Sequence, residues 1–201
     1  LFAADTVLTD SGALYAIGKG ENENAIYLVR RAGEETKTIV VPATEDDARE
    51  SSVELEYDRT NDKVYVAWVR ASEVQVTSVD AKGEWSKPLV VATGDDSRSA
   101  GELRAALTHA KVTETVEEVE TTRDVTLVHS AWWQKAGKSS AKYALVAIDK
   151  NEHVSTFVGD LDELADVRGP SVQSLASEAV EGMGSALYPP LALTARRDTV
   201  D

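Results

Sequence analysis

A recurrence at 50 residues constrains this chain more than any other feature of it. One window runs Leu8-Thr9-Asp10-Ser11-Gly12-Ala13-Leu14-Tyr15-Ala16-Ile17, then Ala25-Ile26-Tyr27-Leu28-Val29, Gly33 and Ile39-Val40-Val41-Pro42-Ala43-Thr44. A second runs Tyr57-Asp58, Asp62-Lys63-Val64-Tyr65-Val66-Ala67-Trp68, Val74-Gln75-Val76, Gly83 and Leu89-Val90-Val91-Ala92-Thr93. Tyr15 to Tyr65 is 50 residues, and so is Gly33 to Gly83. Register kept at two separated points marks a repeated supersecondary unit. A looser third copy is built from Asp124–Trp132, Tyr143–Asp149 and Val154–Val158, and its excess length falls on the polar stretch from Lys111 to Arg123.

Each copy reads as four short strands. In the second copy these are Val53–Tyr57, Val64–Val69, Glu73–Val79 and Pro88–Ala92, rich in Val and Tyr and separated by Gly, Asp and Asn. Four antiparallel strands every 40–50 residues is the pattern of a β-propeller blade, and an ordinary meander or sandwich is the alternative. The expected fold is therefore all-β. Blade 1 covers 1–47, blade 2 covers 48–98 and blade 3, with its insertion, covers 99–166. Residues 167–189 read as an inter-blade loop with a short helix from Ser171 to Val180, capped by Ser171 or Ser174. Residues 190–201 repeat the start of a blade, since Pro190–Val200 resembles Val53–Val64. Three blades and the beginning of a fourth leave open sheet edges. The expectation is a piece of a larger propeller, with further blades or a partner covering the open side.

Composition narrows the function. The formal charge is −14, from 21 Lys and Arg against 35 Asp and Glu, which argues against nucleic-acid binding. No Cys is present, so thiolate metal and disulfide chemistry are excluded. No apolar run approaches the roughly 20 residues of a membrane span.

Ser78-Val79-Asp80-Ala81-Lys82-Gly83-Glu84-Trp85 fits the pattern Ser/Thr-x-Asp-x-Gly-x-x-Trp on the turn between the third and fourth strands of blade 2. It resembles the Asp-box, or BNR repeat, of sialidase-like β-propellers. In such a turn Asp80 accepts backbone N–H groups, Gly83 takes a positive φ and Trp85 folds back under the turn. The equivalent turns are degenerate: Arg31-Ala32-Gly33 keeps only the Gly and Asp149–Val154 only the Asp. The resemblance makes Ser78, Asp80, Gly83 and Trp85 structural residues and implies architecture rather than activity. Proteins of this kind are commonly secreted, extracellular or periplasmic.

No catalytic residue set emerges. A sialidase needs three arginines, a Tyr–Glu nucleophile pair and an acid; Arg30, Arg70 and Arg104 are the candidates here and read as strand-borne surface residues. His109, His129 and His153 show no ligand spacing, and Ser11 and Ser130 no nucleophile context. Glu45-Asp46-Asp47, Gly94-Asp95-Asp96 and Asp160-Leu161-Asp162-Glu163 each follow a fourth strand, as solubilising turns or candidate Ca²⁺ ligands. Trp132 and Trp133 alternate across a strand, so one of them is a candidate contact to a glycan or protein. The functional expectation is a non-catalytic secreted propeller module that binds a protein or glycan partner, with no cofactor. The alternatives are part of a sialidase-like glycoside hydrolase with its catalytic residues in other blades, and an assembly component that docks a second chain through open edges.

Overall fold

The computed structural model describes residues 2–19, 25–44, 50–70, 73–93, 100–116, 119–136, 138–149, 154–160, 168–174 and 191–196. They form strands and turns, with no helix. Three four-stranded antiparallel meanders follow one another. Sheet 1 holds β1 (Phe2–Leu8), β2 (Leu14–Lys19), β3 (Ile26–Ala32) and β4 (Glu35–Val40). Sheet 2 holds β5 (Glu50–Asp58), β6 (Lys63–Arg70), β7 (Glu73–Asp80) and β8 (Leu89–Thr93). Sheet 3 holds β9 (Ala100–Val116), β10 (Val119–Ala136), β11 (Lys138–Asp149) and β12 (Val154–Asp160). A two-stranded sheet 4 pairs β13 (Arg168–Ser174) with β14 (Leu191–Arg196).

The sheets stack face to face, and the side-chain alternation of each strand sorts residues between neighbours. Val53, Leu55, Val64, Val66 and Trp68 of sheet 2 pack on Ala13, Tyr15, Ile17, Ile26 and Leu28 of sheet 1. The opposite face of sheet 2 carries Tyr65, Ala67, Val69, Val74 and Val76, which pack on Leu103, Ala105, Val128, Trp132, Ala144 and Val146 of sheet 3. Both faces of β6 are therefore buried, which is why Val64–Val69 is an unbroken apolar run rather than an alternating one. The far face of sheet 3 buries Val125, Leu127, Leu145 and Ala147, and β13 lies against β9 and β10.

The first strands of successive sheets, β1, β5, β9 and β13, lie side by side. Each carries an irregularity of register near its start: at Ala3/Asp5 in β1, at Glu50/Ser52 in β5, between Gly101 and Arg104 in β9 and at Arg168/Pro170 in β13. A bulge increases local twist and bends the strand. Side chains cap the outward N–H groups of these edge strands. Asp5 Oδ2 accepts from Leu55 N at 2.7 Å, and Ser52 Oγ accepts from Leu103 N at 3.1 Å.

Two expectations change. Ser171–Ser174 belongs to strand β13 and not to a helix; residues 175–180 lie outside the described residues. The ladder with Leu191–Arg196 supplies the backbone hydrogen bonds that a helix would have made locally, so pairing overrides propensity. The bulge at the start of β13 matches it to β1, β5 and β9. Among the described residues sheet 4 consists of β13 and β14, so Leu191–Arg196 pairs back onto a strand inside the segment expected as a loop.

The extra length of the third copy is not a loose loop. Lys111–Val116 and Val119–Asp124 continue β9 and β10 past Val125, where pairing with β11 ends, as a two-stranded ribbon. Trp68, fully buried between sheets 1 and 2, tests the stack. Trp68→Ala should lower the unfolding free energy by about 3–5 kcal/mol in urea titration. A loss under about 1 kcal/mol would contradict burial of this face.

Candidate functional site

The ribbon and the β5–β6 turn form the two walls of an open cleft of about 840 Å³. Thr60, Asn61 and Lys63 line one wall, Lys111 and Thr121–Asp124 the other, and Tyr65, His109, Thr126 and Asp149 the floor.

The turn is shaped by Asp58, whose side chain is fully buried. Its Oδ1 accepts from the backbone N–H groups of Thr60 (3.0 Å) and Asn61 (3.1 Å), an Asx turn, and lies 3.1 Å from His109 Nε2. Its Oδ2 accepts from Asn61 Nδ2 (2.9 Å) and Thr126 Oγ1 (2.8 Å). Asp62, at φ 49, completes the reversal. One carboxylate therefore fastens the first turn of sheet 2 to β9 and β10 of sheet 3. Burial pushes the Tyr65 hydroxyl up to about 12, with the Asp58 charge adding to it and a hydrogen bond with Thr126 opposing it. Across the cleft Arg123 Nη1 meets Asp149 Oδ2 at 3.1 Å.

A carboxylate facing an imidazole can orient a general base. Here the nearby hydroxyl, Thr126, donates to the carboxylate, and the acceptor capacity of Asp58 is taken up by four hydrogen bonds and His109. The arrangement holds elements together and leaves polar walls open to a ligand.

A second polar group lies along the first strands. Glu54 Oε1 pairs with Arg104 Nη1 at 2.7 Å; burial raises the Glu54 carboxyl, Arg104 opposes that and Asp5 adds to it. At Glu56 burial, then the charges of Asp5 and Glu54, push the carboxyl up to about 7.

The residues expected from sequence fall elsewhere. Asp80 Oδ1 accepts from Lys82 N and Glu84 N, both at 2.9 Å, and Asp80 O accepts from Gly83 N at 3.0 Å. Gly83 has φ 88, and Trp85 bridges to Val79 and packs against the core between sheets 1 and 2. Ser78 and Ser86 bond through backbone and side chains. This turn follows the C-terminal end of β7, where Asp80 is the ladder partner of Lys63, and none of its residues lines the cleft. Trp132 is 2 % exposed in the core between sheets 2 and 3, so it packs rather than meeting a ligand; the Trp133 side chain lies outside the described residues. His129 is buried and bonded to Thr108 Oγ1 at 2.7 Å, and burial lowers its imidazole to about 4. Arg30 bonds the Tyr15 hydroxyl at 3.1 Å, in a different sheet from Arg104. The side chain of Arg70 lies outside the described residues, as do His153 and the acidic turns 45–47, 94–96 and 161–163. Asp58 was not singled out from sequence; its signal was an Asp two residues before the Thr and three before the Asn of a strand-joining turn.

No protein-family model, no curated protein and no solved structure matches the chain.

Asp58→Ala would leave the buried Thr126 hydroxyl and the part-buried Thr60 and Asn61 donors without this acceptor. It should cost about 3 kcal/mol in urea unfolding, and a change under about 1 kcal/mol would remove Asp58 as the fastening group. Glu56 gives a pH dependence. Its folded value of about 7 exceeds the ordinary 4.5, so the folded chain retains a proton that the unfolded chain releases between them. Its contribution is full below pH 4.5 and is lost as pH rises through 7. Glu56→Gln should raise the melting temperature at pH 8 and leave it nearly unchanged at pH 4.5. Equal shifts at both pH values would contradict this.

Proposed function

We propose that the chain is a non-catalytic β-propeller module that binds a protein partner in the cleft between the β5–β6 turn and the β9–β10 ribbon. The stacking of successive four-stranded sheets, their adjacent first strands and the recurring bulge support the propeller reading. The resemblance of Ser78–Trp85 to the Asp-box is consistent with it and implies export.

The observation that carries the binding reading is the ribbon. The third copy spends its extra residues on lengthening one hairpin beyond its sheet, and that extension makes a wall of the cleft. Among the described residues β11 pairs with β10 only from Val125 onward, so the Val119–Thr122 end of β10 is the edge on which an added strand would pair. A polypeptide is favoured over a glycan because the aromatic ring lining the cleft, Tyr65, is 4 % exposed and offers no stacking face. Binding is favoured over catalysis because both buried carboxylates at the cleft are engaged structurally, Asp58 beneath its turn by four hydrogen bonds and Asp149 in the lining by Arg123.

The test is panning of a displayed peptide library on the chain, with hits remeasured by calorimetry. Lys63→Ala and Thr121→Ala should each weaken a cleft-bound peptide about tenfold, or about 1.4 kcal/mol. Peptide affinity untouched by both variants would overturn the site. Binding by oligosaccharides and by no peptide would overturn the partner class, and hydrolysis of aryl glycosides would overturn the non-catalytic reading.

A further inference from the structure

The cleft offers little by which a ligand's side chains could be selected. Lys63, Lys111 and Arg123 in its lining stand against Asp124 and Asp149, with Asp58 buried beneath, so within a chain of formal charge −14 the cleft carries no excess of either sign. Arg123 and Asp149 already meet each other, and Asp58 is held by its own turn. Apolar grip is equally scarce. Tyr65 and Val125 are buried, Ala110 packs into the core on the far face of sheet 3, and Ile148 packs into the core between sheets 2 and 3. Among the described lining residues no pocket for a large apolar anchor is built.

Main chain is what the cleft does offer. Among the described residues Val125↔Asp149 is the last ladder pair of β10 with β11, whereas β10 continues to pair with β9 out to Val119. Val119, Glu120, Thr121 and Thr122 are all exposed. In a strand the N–H and C=O of one residue point the same way and successive residues point to opposite sides, so every second residue of this stretch turns both groups away from β9. Thr122 shares a face with Thr126, whose hydroxyl donates to Asp58 of the turn, so this edge runs along the cleft. Val119, Thr121 and Thr122 are β-branched, and such a surface favours β-branched residues opposite it.

We infer that the ligand of the cleft is an extended, proline-free segment of a partner protein that adds to β10 in line with β11 and is recognised through its main chain, not through its charge. The inference rests on the peptide-binding reading of the cleft and names the class of peptide. A segment in that position extends an established ladder, so its alternation of faces is inherited from β11. Side chains opposite Glu120 and Thr122 face the β5–β6 turn, and those opposite Val119 and Thr121 lie on the other face. Proline is excluded because it supplies no N–H to the ladder. The edge from Val119 to Thr122 spans about 13 Å, so a short segment fills it.

Peptides selected by the panning, resynthesised with one N-methyl group at each position in turn, test it by calorimetry on the full chain. N-methylation at every second residue of the bound stretch should weaken binding about tenfold or more, with the intervening residues tolerating it. Reversing a peptide's charges, Lys to Glu or Glu to Lys, should change affinity less than about threefold at about 0.15 M salt. Hydrogen exchange followed by NMR locates the added strand: on saturation with peptide, the amides of Val119–Thr122 should slow at alternate residues. A peptide that responds to Lys63→Ala but tolerates N-methylation throughout, or that loses about tenfold on charge reversal, would overturn main-chain recognition and leave the proposed function standing. A chain that binds no peptide of any sequence would overturn the proposed function and this inference together.

Discussion

Burial of sheet 2 on both faces is the constraint on which the rest of the structure depends. Its second strand sends Val64, Val66 and Trp68 into one core and Tyr65, Ala67 and Val69 into the other. A strand used in this way cannot afford a polar position, and the six residues Val64–Val69 are all buried. Because side chains alternate with a period of two, a slip of one residue in β6 would exchange the contents of two cores at once. Sheets 1 and 3 are located by the two faces of this one sheet, and the cleft between the β5–β6 turn and the ribbon inherits that placement.

Stacking sheets so closely leaves the first strands as edges with outward backbone donors. The structure satisfies described cases of these with side chains from the neighbouring first strand, Asp5 on Leu55 N and Ser52 on Leu103 N. That solution concentrates polar groups along the same line, and it has an electrostatic consequence. The charge of Asp5 opposes ionisation of both Glu54 and Glu56, and Glu54 adds to this at Glu56, with Arg104 compensating Glu54. The raised carboxyl of Glu56 follows first from its burial and then from these neighbouring charges, and needs no catalytic explanation.

Much of the architecture was legible in the sequence because it is written in apolar periodicity. Tyr15 and Tyr65 occupy equivalent places, each facing the next sheet, and Gly33 and Gly83 both have the positive φ that their turns require. What was not legible depends on distant pairing. Ser171–Ser174 has locally acceptable helix chemistry, and its partner Leu191–Arg196 is decided only by the ladder. Trp132 and Trp133 cannot be sorted until the faces of β10 are assigned to neighbours, after which Trp132 is a core residue. Asp58 is the clearest case. An Asp in a turn is ordinarily a solvated turn-former, and what makes this one a fastening group is Thr126, 68 residues away, together with His109.

A stacked repeat has few places at which a site can be built. The cores tolerate little polar chemistry, so variation is confined to turns and hairpin ends. The third copy shows the consequence: its cores match those of the second, while its additional residues lengthen a hairpin whose Thr121 and Thr122 are exposed. Asp58 then ties the base of that hairpin to the preceding sheet through Thr126 and His109, so the wall it forms is anchored on two sheets. A cleft built this way combines a fixed base with an interchangeable rim. Its ribbon wall can change by substitution without disturbing the two cores that hold the sheets in place.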